Sequence, residues 1–149
     1  YVAAGRPADA VPVLARIIAS YGGRRLKEVA QFHHRMGQAL EATGDVEKAL
    51  KAYDAAFRID LTNVPILRDL GRAYHRAGDL ERAQKTFRAL LLQKLDRDSG
   101  ITKADVYYYL GDIAAGQGDR AKAVSMLERA LAEQAGHALA KDKLASLGK

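Results

Sequence analysis

A short pattern recurs three times along the 149-residue chain, and this recurrence limits the fold more than any other feature. Each copy has a glycine after a large apolar residue, a Gly-Asp pair seven positions later, and an alanine five positions after that. The first glycines are Gly37, Gly71 and Gly111, spaced by 34 and 40 residues, so the second interval carries six extra residues. Periods of this length are typical of arrays built from one supersecondary unit.

Partial copies precede and follow the three complete ones. Gly5 precedes Gly44 by 39 positions, and Leu144 follows Leu110 by 34. The sequence therefore predicts a single array with a truncated first copy and a polar capping helix at its end. The predicted divisions are 1–23 (truncated repeat), 24–63 (second repeat), 64–103 (third repeat, with an extended second helix or loop), 104–136 (fourth repeat) and 137–149 (capping helix).

Each copy has the pattern of a helical hairpin. Apolar residues at positions 66, 67, 70, 73, 74 and 77 share one face of a helix. Gly78 is expected to end that helix, because glycine enters the left-handed conformation at little cost. Asp79 is expected to cap the next helix by accepting from its free amides. One hairpin cannot bury its apolar face alone, so the copies should stack.

These residues resemble the tetratricopeptide-repeat (TPR) pattern over nearly the whole chain. The third copy matches it best, with Leu67, Leu70, Gly71, Tyr74, Gly78, Asp79, Ala83 and Phe87. The resemblance implies an all-α fold, an α-solenoid of stacked antiparallel helical hairpins forming a TPR superhelix. The chain departs from the pattern in lacking the terminal proline and in carrying insertions of five and six residues.

Composition narrows the possible functions. The chain has no cysteine, which excludes disulfides and thiolate chemistry, and no apolar run approaches the roughly 20 residues of a membrane helix. The net charge of +6 comes from 24 basic and 18 acidic residues that are mixed along the chain. This balance favours acidic partners only weakly. The abundance of Ala, Arg and Gly is typical of a GC-rich bacterial source, and the compartment stays open.

No catalytic or metal-binding pattern emerges. The four histidines come with no HExxH sequence, no glycine-rich phosphate loop and no Ser-His-Asp set. A site of either kind needs several convergent groups. The stretch 96–100 faintly resembles a calcium loop but lacks its third acid and closing glutamate, so a turn with its reversal at Gly100 is predicted. The sequence predicts no enzyme, no metal and no cofactor.

The sharpest side-chain cluster is basic. Arg68, Arg72 and Arg76 are spaced by four, which places them on one helical face with His75 beside them. The resemblance implies that such first-helix positions line a concave groove that binds a peptide. The predicted groove residues are Gln31, His34, Gln38, Arg68, Arg72, His75, Arg76, Tyr108 and Asp112.

Two interpretations of this cluster stay open. Arginine forms bidentate hydrogen bonds with carboxylates and phosphates, so the groove could hold an acidic or phosphorylated segment, or a C-terminal carboxylate. Alternatively, Arg72 pairs with Asp112 or Asp105 and Arg76 pairs with Glu41, which would leave an internally compensated face. A subset of TPR proteins holds chaperone tails through a Lys/Asn carboxylate clamp. The matching positions here are His34, Gln38 and Asp69, so that function is not expected.

The run Tyr107-Tyr108-Tyr109 offers an aromatic anchor. Tyr107 falls on a position that the resemblance implies is buried, and Tyr108 falls on one that implies the groove. Tyrosine presents a large contact area at low entropic cost, which suits a peptide anchor. The alternative is that Tyr108 or Tyr109 packs under the neighbouring insertion.

The sequence thus predicts a non-catalytic protein–protein interaction module within a larger bacterial protein. Its first copy begins within a helix at Tyr1, which predicts the C-terminal end of a longer array. Pro12 lies inside that truncated copy and predicts a kink or a late helix start.

Self-assembly is the alternative function, through an edge formed by Val11, Val13, Leu14, Ile17 and Ile18. Nucleic-acid binding is less favoured, because acids are dispersed among the arginines.

Overall fold

The structure is a computed structural model that describes residues 6–148. Those residues form eight α-helices and a short 3-10 turn, with no β-strand, which confirms the predicted all-α fold. Tyr1 and Gly5 of the predicted first copy lie outside the described residues. The helices are α1 (Pro7–Ser20), α2 (Lys27–Ala42), α3 (Val46–Ile59), α4 (Val64–Arg76), α5 (Leu80–Leu91), α6 (Lys103–Gly116), α7 (Arg120–Glu133) and α8 (Ala138–Leu147).

The Gly-Asp pairs separate the two helices of each hairpin, as predicted. The three glycines adopt left-handed backbone conformations, with φ of 86° at Gly44, 79° at Gly78 and 80° at Gly118. The aspartate that follows each one caps the next helix, because its Oδ1 accepts a hydrogen bond from the backbone N–H three residues later. The same local chemistry therefore sets all three reversals.

Replacing Asp79 with alanine is expected to lower the free energy of unfolding by about 1 kcal/mol, because the first turn of α5 loses its acceptor. The bond concerned joins Asp79 Oδ1 and Arg82 N at 3.2 Å. For a chain of this length, the melting temperature should fall by about 2–4 °C. Thermal unfolding followed by circular dichroism measures the shift. Asp142→Ala removes an exposed carboxylate from α8 and is the control; equal shifts in both variants would contradict the capping role.

The chain divides into two compact units, Tyr1–Ala73 and Tyr74–Lys149. Unit 1 contains α1, α2, α3 and most of α4, and unit 2 contains the end of α4 together with α5 to α8. Each unit is described by itself.

In unit 1, the helices stack through small residues. Ala10 and Leu14 of α1 form one buried cluster with Ala39 of α2. Ala30, Ala56 and Ile66 form a second buried cluster, which joins the starts of α2 and α4 to the end of α3. Alanines at these positions let the helix backbones approach closely, so that each hairpin buries its apolar side against the next.

The first helix corrects one expectation. α1 begins at Pro7 and continues through Pro12, so the predicted late start at Pro12 is wrong. Proline at the first position fits a helix, because the amide it lacks would have no intrahelical partner there, and Pro12 removes only one bond of the ladder. Of the predicted apolar edge, Leu14 is buried against α2, whereas Val11, Val13, Ile17 and Ile18 are partly buried.

In unit 2, α6 and α7 pack closely and α8 covers them. A methyl group on Gly111 would lie 2.8 Å from Leu127 Cγ, so only glycine fits there without adjustment. Leu127 and Ala130 form a buried cluster with Ala140 of α8, and Leu144 packs against it. The predicted turn at 96–100 is confirmed as a 3-10 turn (Arg97–Ser99) that ends at Gly100, with φ of 69°.

Candidate functional site

In unit 1, predicted groove residues converge on the carboxylate of Asp69. His34 Nε2 on α2 lies 2.6 Å from Asp69 Oδ2 on α4. Gln38 Nε2 donates to the same oxygen at 3.3 Å. Arg68 donates from Nε to Oδ1 at 3.0 Å and from its second guanidinium nitrogen to Oδ2 at 3.2 Å. Asp69 thus holds three of the predicted groove side chains, although the sequence analysis had not included Asp69 among them.

Asp69 is a partly buried, ionised carboxylate. Its side chain is 14% exposed, and that of His34 is 9% exposed. Burial by itself raises the pKa of Asp69, but hydrogen bonds from His34 and Arg68 and the charge of Arg68 outweigh it and lower the pKa to about 2. Next to this network, burial raises the pKa of Tyr53, and the charge of Asp69 adds to the effect. The Tyr53 hydroxyl therefore stays protonated and donates to Glu41.

In unit 2, a second network is centred on Asp112 of α6. His75 Nε2 lies 2.6 Å from Asp112 Oδ2, and Lys143 Nζ of α8 lies 3.1 Å from Oδ1. Burial raises the pKa of Asp112, but the hydrogen bonds from His75 and Lys143 more than offset it and leave the pKa below its ordinary value. Asp112 is therefore ionised at neutral pH, and the His75 ring and the Lys143 ammonium each contact one of its oxygens.

The third histidine–aspartate pair fixes the start of α8. His137 Nε2 lies 2.7 Å from Asp105 Oδ1, while His137 Nδ1 accepts from the backbone N–H of Ala140 at 3.1 Å. Because Nδ1 acts as an acceptor, these contacts assign the proton to Nε2, which donates to Asp105. Burial raises the pKa of Asp105, but the backbone N–H of Thr102 and the His137 ring lower it below its ordinary value.

Two tyrosines of the run 107–109 pack against different parts of unit 2. Tyr108 is partly buried against α8, with its ring centroid 5.7 Å from that of His137. Burial raises its pKa, and the charge of Asp112 raises it further. Tyr109 stacks on Phe87 with ring centroids 4.6 Å apart. Tyr108 therefore contacts the start of α8, and Tyr109 contacts α5.

The structure places the nine predicted residues in different environments. His34, Gln38 and Arg68 meet in unit 1, while His75, Tyr108 and Asp112 lie close together in unit 2. Gln31 and Arg76 are exposed, and Arg72 is partly buried. Internal pairing holds for Arg68, with Asp69 as its partner.

The repeat register contained a signal for the residues that the sequence analysis missed. Asp69 precedes the repeat's leucine, Leu70, as Lys143 precedes Leu144. Gln38 and Asp112 each follow the repeat's first glycine. The contacts Gln38–Asp69 and Asp112–Lys143 therefore join equivalent positions, 31 residues apart in both cases. This register marks both pairs as candidates for contact, and the packing of adjacent helices decides that they meet.

The part of the chain that the structure describes contains no cluster of three or more His, Cys, Asp or Glu side chains able to hold a metal ion. Among residues 6–148, none of the helices combines the length and the apolarity needed to cross a bilayer.

Family comparisons agree with the geometry. Three family models, each described as a tetratricopeptide repeat, match residues 1–61, 40–104 and 105–137. Together they span nearly the whole chain, and the chain belongs to the tetratricopeptide-repeat family. Its fold is the helical-repeat α-solenoid of that family, and it supports the role of a protein–protein interaction module. Proteins of this class are generally non-catalytic.

Several solved structures are similar. YrrB, described as a TPR protein with an unusual peptide-binding site, is 25% identical with a TM-score of 0.67, over 76% of this chain and 56% of that one. MamA is 16% identical with a TM-score of 0.80, over 97% and 78%. The first TPR of Spaghetti (RPAP3), bound to the HSP90 peptide SRMEEVD, is 15% identical with a TM-score of 0.69, over 83% and 93%. No curated protein sequence matches the chain.

The chain thus spans 56% of the length of YrrB. At their low identity, MamA and the RPAP3 domain show the shared fold alone.

Proposed function

We propose that the chain is a non-catalytic module and that each of its two units binds a peptide segment along the polar side of its own first helices. We call this side the first-helix face. In unit 1 it comprises Gln31, His34, Gln38 and Arg68, and in unit 2 it comprises His75, Arg76, Tyr108 and Asp112. The observation that carries the proposal is that Asp69 fixes His34, Gln38 and Arg68. Asp112 fixes His75 in the same way.

A pre-organised polar face suits peptide binding. Side chains that are already held in one rotamer lose little conformational entropy when a ligand arrives. His34 and Gln38 are held in this way by Asp69, so their positions do not depend on the ligand. Because Arg68 is paired with Asp69, the charges of this part of the face compensate each other. A polar segment of mixed charge therefore fits unit 1 better than a strongly acidic one.

The similar structures support this proposal at the level of the family. YrrB is described by its peptide-binding site, and the RPAP3 domain was solved with a bound peptide. Both facts concern those proteins, and the residues of the first-helix face in this chain are proposed from its own geometry.

A phage-displayed library of random twelve-residue peptides tests the proposal. We expect two groups of peptides to be selected on the unaltered chain. One group should bind at least tenfold more weakly to Gln31→Glu, in unit 1, and the other at least tenfold more weakly to Arg76→Glu, in unit 2. Both residues are exposed. Thermal unfolding of each variant checks that it folds as the unaltered chain does. Affinities measured by isothermal titration calorimetry give the ratio.

Matched controls carry the same change of charge on the second helix α7. Arg129→Glu replaces an exposed residue of α7, and Gln134→Glu replaces the exposed residue that follows its last turn. Both should leave peptide affinity within twofold. Failure to enrich any peptide, or equal loss of affinity in the controls and the face variants, would contradict the proposal.

Self-assembly is the second candidate function, supported by α1. Val13 and Ile17 of this helix keep part of their apolar surface exposed. A second molecule packed against that side would bury it. Sedimentation equilibrium between 1 and 100 μM decides the question, since a single monomeric mass across this range would contradict self-assembly. The bacterial source inferred from composition stays a prediction.

A further inference from the structure

Two cations meet on the second helices of unit 2, away from the first-helix face. The side-chain oxygen of Gln84, on α5, accepts from the guanidinium of Arg88 at 3.2 Å and from the ammonium of Lys122 on α7. The amide orientation follows from its two donors. Positive groups from two helices therefore converge on one neutral oxygen.

Comparison with the other repeats shows that Lys122 is unusual. Each second helix has a cation three residues after its capping aspartate. Lys48 and Arg82 lie 3.7 and 3.6 Å from the carboxylate that caps their own helix. Lys122 instead extends across to Gln84 on the neighbouring helix. It therefore strengthens the positive charge beside α5 rather than neutralising its own cap.

Arg88 carries the opposite charge to the residues at the same position of the other two complete repeats. Arg88 lies five residues after the repeat's alanine, where α3 has Asp54 and α7 has Glu128. Within residues 6–148, neither Arg88 nor Lys122 forms an ion pair with a carboxylate. Two like charges near one oxygen repel each other, and an anion placed between them would remove that repulsion.

An exposed apolar side chain lies next to the cations. Leu92 caps the end of α5 in a helical backbone conformation, and it is 84% exposed. Gln84, Arg88 and Leu92 are spaced by four residues, so they share one helical face. The corresponding residue of α3 is Arg58, which pairs with Asp54 on its own helix. In α5, Arg88 thus stands in place of the acid, and Leu92 stands in place of the acid's cationic partner.

We propose that Gln84, Arg88, Leu92 and Lys122 form a docking site for an acidic peptide segment. Carboxylate or phosphate oxygens of the segment would lie between Arg88 and Lys122, in charge-assisted hydrogen bonds. A large apolar side chain about one helical turn away would cover Leu92. This surface is separate from the first-helix face.

The surrounding charges favour a short acidic segment over a nucleic acid. Next to Arg88, the cations Lys85 and Arg82 pair with Glu81 and Asp79, both at 3.6 Å. The cations next to Arg88 on α5 are therefore neutralised, whereas nucleic-acid binding draws on extended basic surfaces and stacking aromatics.

Nuclear magnetic resonance titration of the 15N-labelled chain tests the site. The probe is the acetylated octapeptide Ser-Glu-Glu-Asp-Leu-Leu-Glu-Ser. We expect shifts in the side-chain amide of Gln84 and in the backbone amides around Arg88 and Lys122. Affinity should fall as salt rises, because the contacts are ionic. Arg88→Glu should weaken binding at least tenfold, and Leu92→Ser at least threefold.

Arg88→Glu is suited to this test because the other repeats have acids at the same position, and the acid gives Lys122 a partner. The variant should therefore fold, and its own amide spectrum checks this. Lys141→Glu makes the same change of charge on α8 and should bind the peptide as the unaltered chain does. A second peptide with Gln and Asn in place of the acids should bind at least tenfold more weakly.

Three outcomes would overturn the proposal. They are equal binding of the neutral peptide, binding to Arg88→Glu within twofold of the unaltered chain, and shifts confined to the first-helix face. A twelve-residue oligothymidylate that binds the same residues more tightly than the acidic peptide would also overturn it, in favour of nucleic acid.

Discussion

Gly37→Ala is expected to lower the free energy of unfolding by about 3 kcal/mol, the cost of overpacking a rigid core position. A methyl group on Gly37 would lie 2.9 Å from Cζ of Tyr53 and closer still to its Cδ1 and Cε1. The Tyr53 ring is 1% exposed, so the surrounding helices leave it little room to move. Alanine's higher helix propensity, about 1 kcal/mol over glycine, offsets only part of the clash.

Urea unfolding followed by circular dichroism measures this loss, which corresponds to about 6–12 °C in melting temperature for a chain of this length. Gly136→Ala is the matched control, because a methyl group there meets nothing within 4 Å. The control should stay within about 0.5 kcal/mol of the unaltered chain. A Gly37→Ala chain as stable as the control would mean that α2 and α3 are not in the close contact described.

Asp69→Ala is expected to lower the free energy of unfolding by about 3 kcal/mol at pH 7, since it leaves the partners of a partly buried carboxylate without their acceptor. His34 and Arg68 would then carry polar groups facing a site that holds no charge to match them. Asp69→Asn keeps the size of the side chain and one acceptor oxygen, so it should cost less.

The stability that Asp69 contributes also depends on pH, and its lowered pKa fixes the direction of this dependence. The pKa of Asp69 is about 2 in the folded chain, below its ordinary value of 3.8. On acidification, the unfolded chain therefore binds the proton first. The contribution of Asp69, about 2 kcal/mol, is fully present above pH 4 and is lost as the pH falls toward 2. The difference in stability between the unaltered chain and Asp69→Asn should shrink over this interval.

Urea titrations at pH 5, 4, 3 and 2.5 measure that difference. Asp105 and Asp112 also have lowered pKa values, but they are present in both chains and their effects cancel. Asp142→Asn replaces an exposed aspartate and should show no pH-dependent difference. A constant gap between the unaltered chain and Asp69→Asn from pH 5 to pH 2.5 would contradict the ionised network.

Local sequence was enough to predict the helical hairpins. Gly78 and Asp79 act through their own backbone conformation and a bond to an amide three residues away, so neighbouring residues alone specify the reversal. The buried positions of α4 followed from helical spacing, which needs no knowledge of the partner helix. The late helix start considered at Pro12 was wrong, because α1 already begins at Pro7, whereas the alternative of a kink at Pro12 stays a prediction.

The candidate site was predicted less well. Choosing first-helix positions identified His34, Gln38 and Arg68 as neighbours, but it did not identify the aspartate that joins them. Contacts of this kind lie 31 to 35 residues apart, and their geometry depends on how adjacent helices are packed. The same holds for Lys143, which is an ordinary surface cation in sequence and a partner of Asp112 in the fold.

The sequence by itself determined the repeat, its period and the ends of its helices, because these depend on spacing and on the conformations of glycine and aspartate. Only the tertiary structure decided which charges are compensated. Asp69 neutralises the charge of Arg68 in unit 1. In unit 2, Arg88 and Lys122 both donate to the side-chain oxygen of Gln84, which is neutral. The reason is physical: the strength of an ionic contact depends on distance and burial, and both are set by packing between helices that are far apart in sequence.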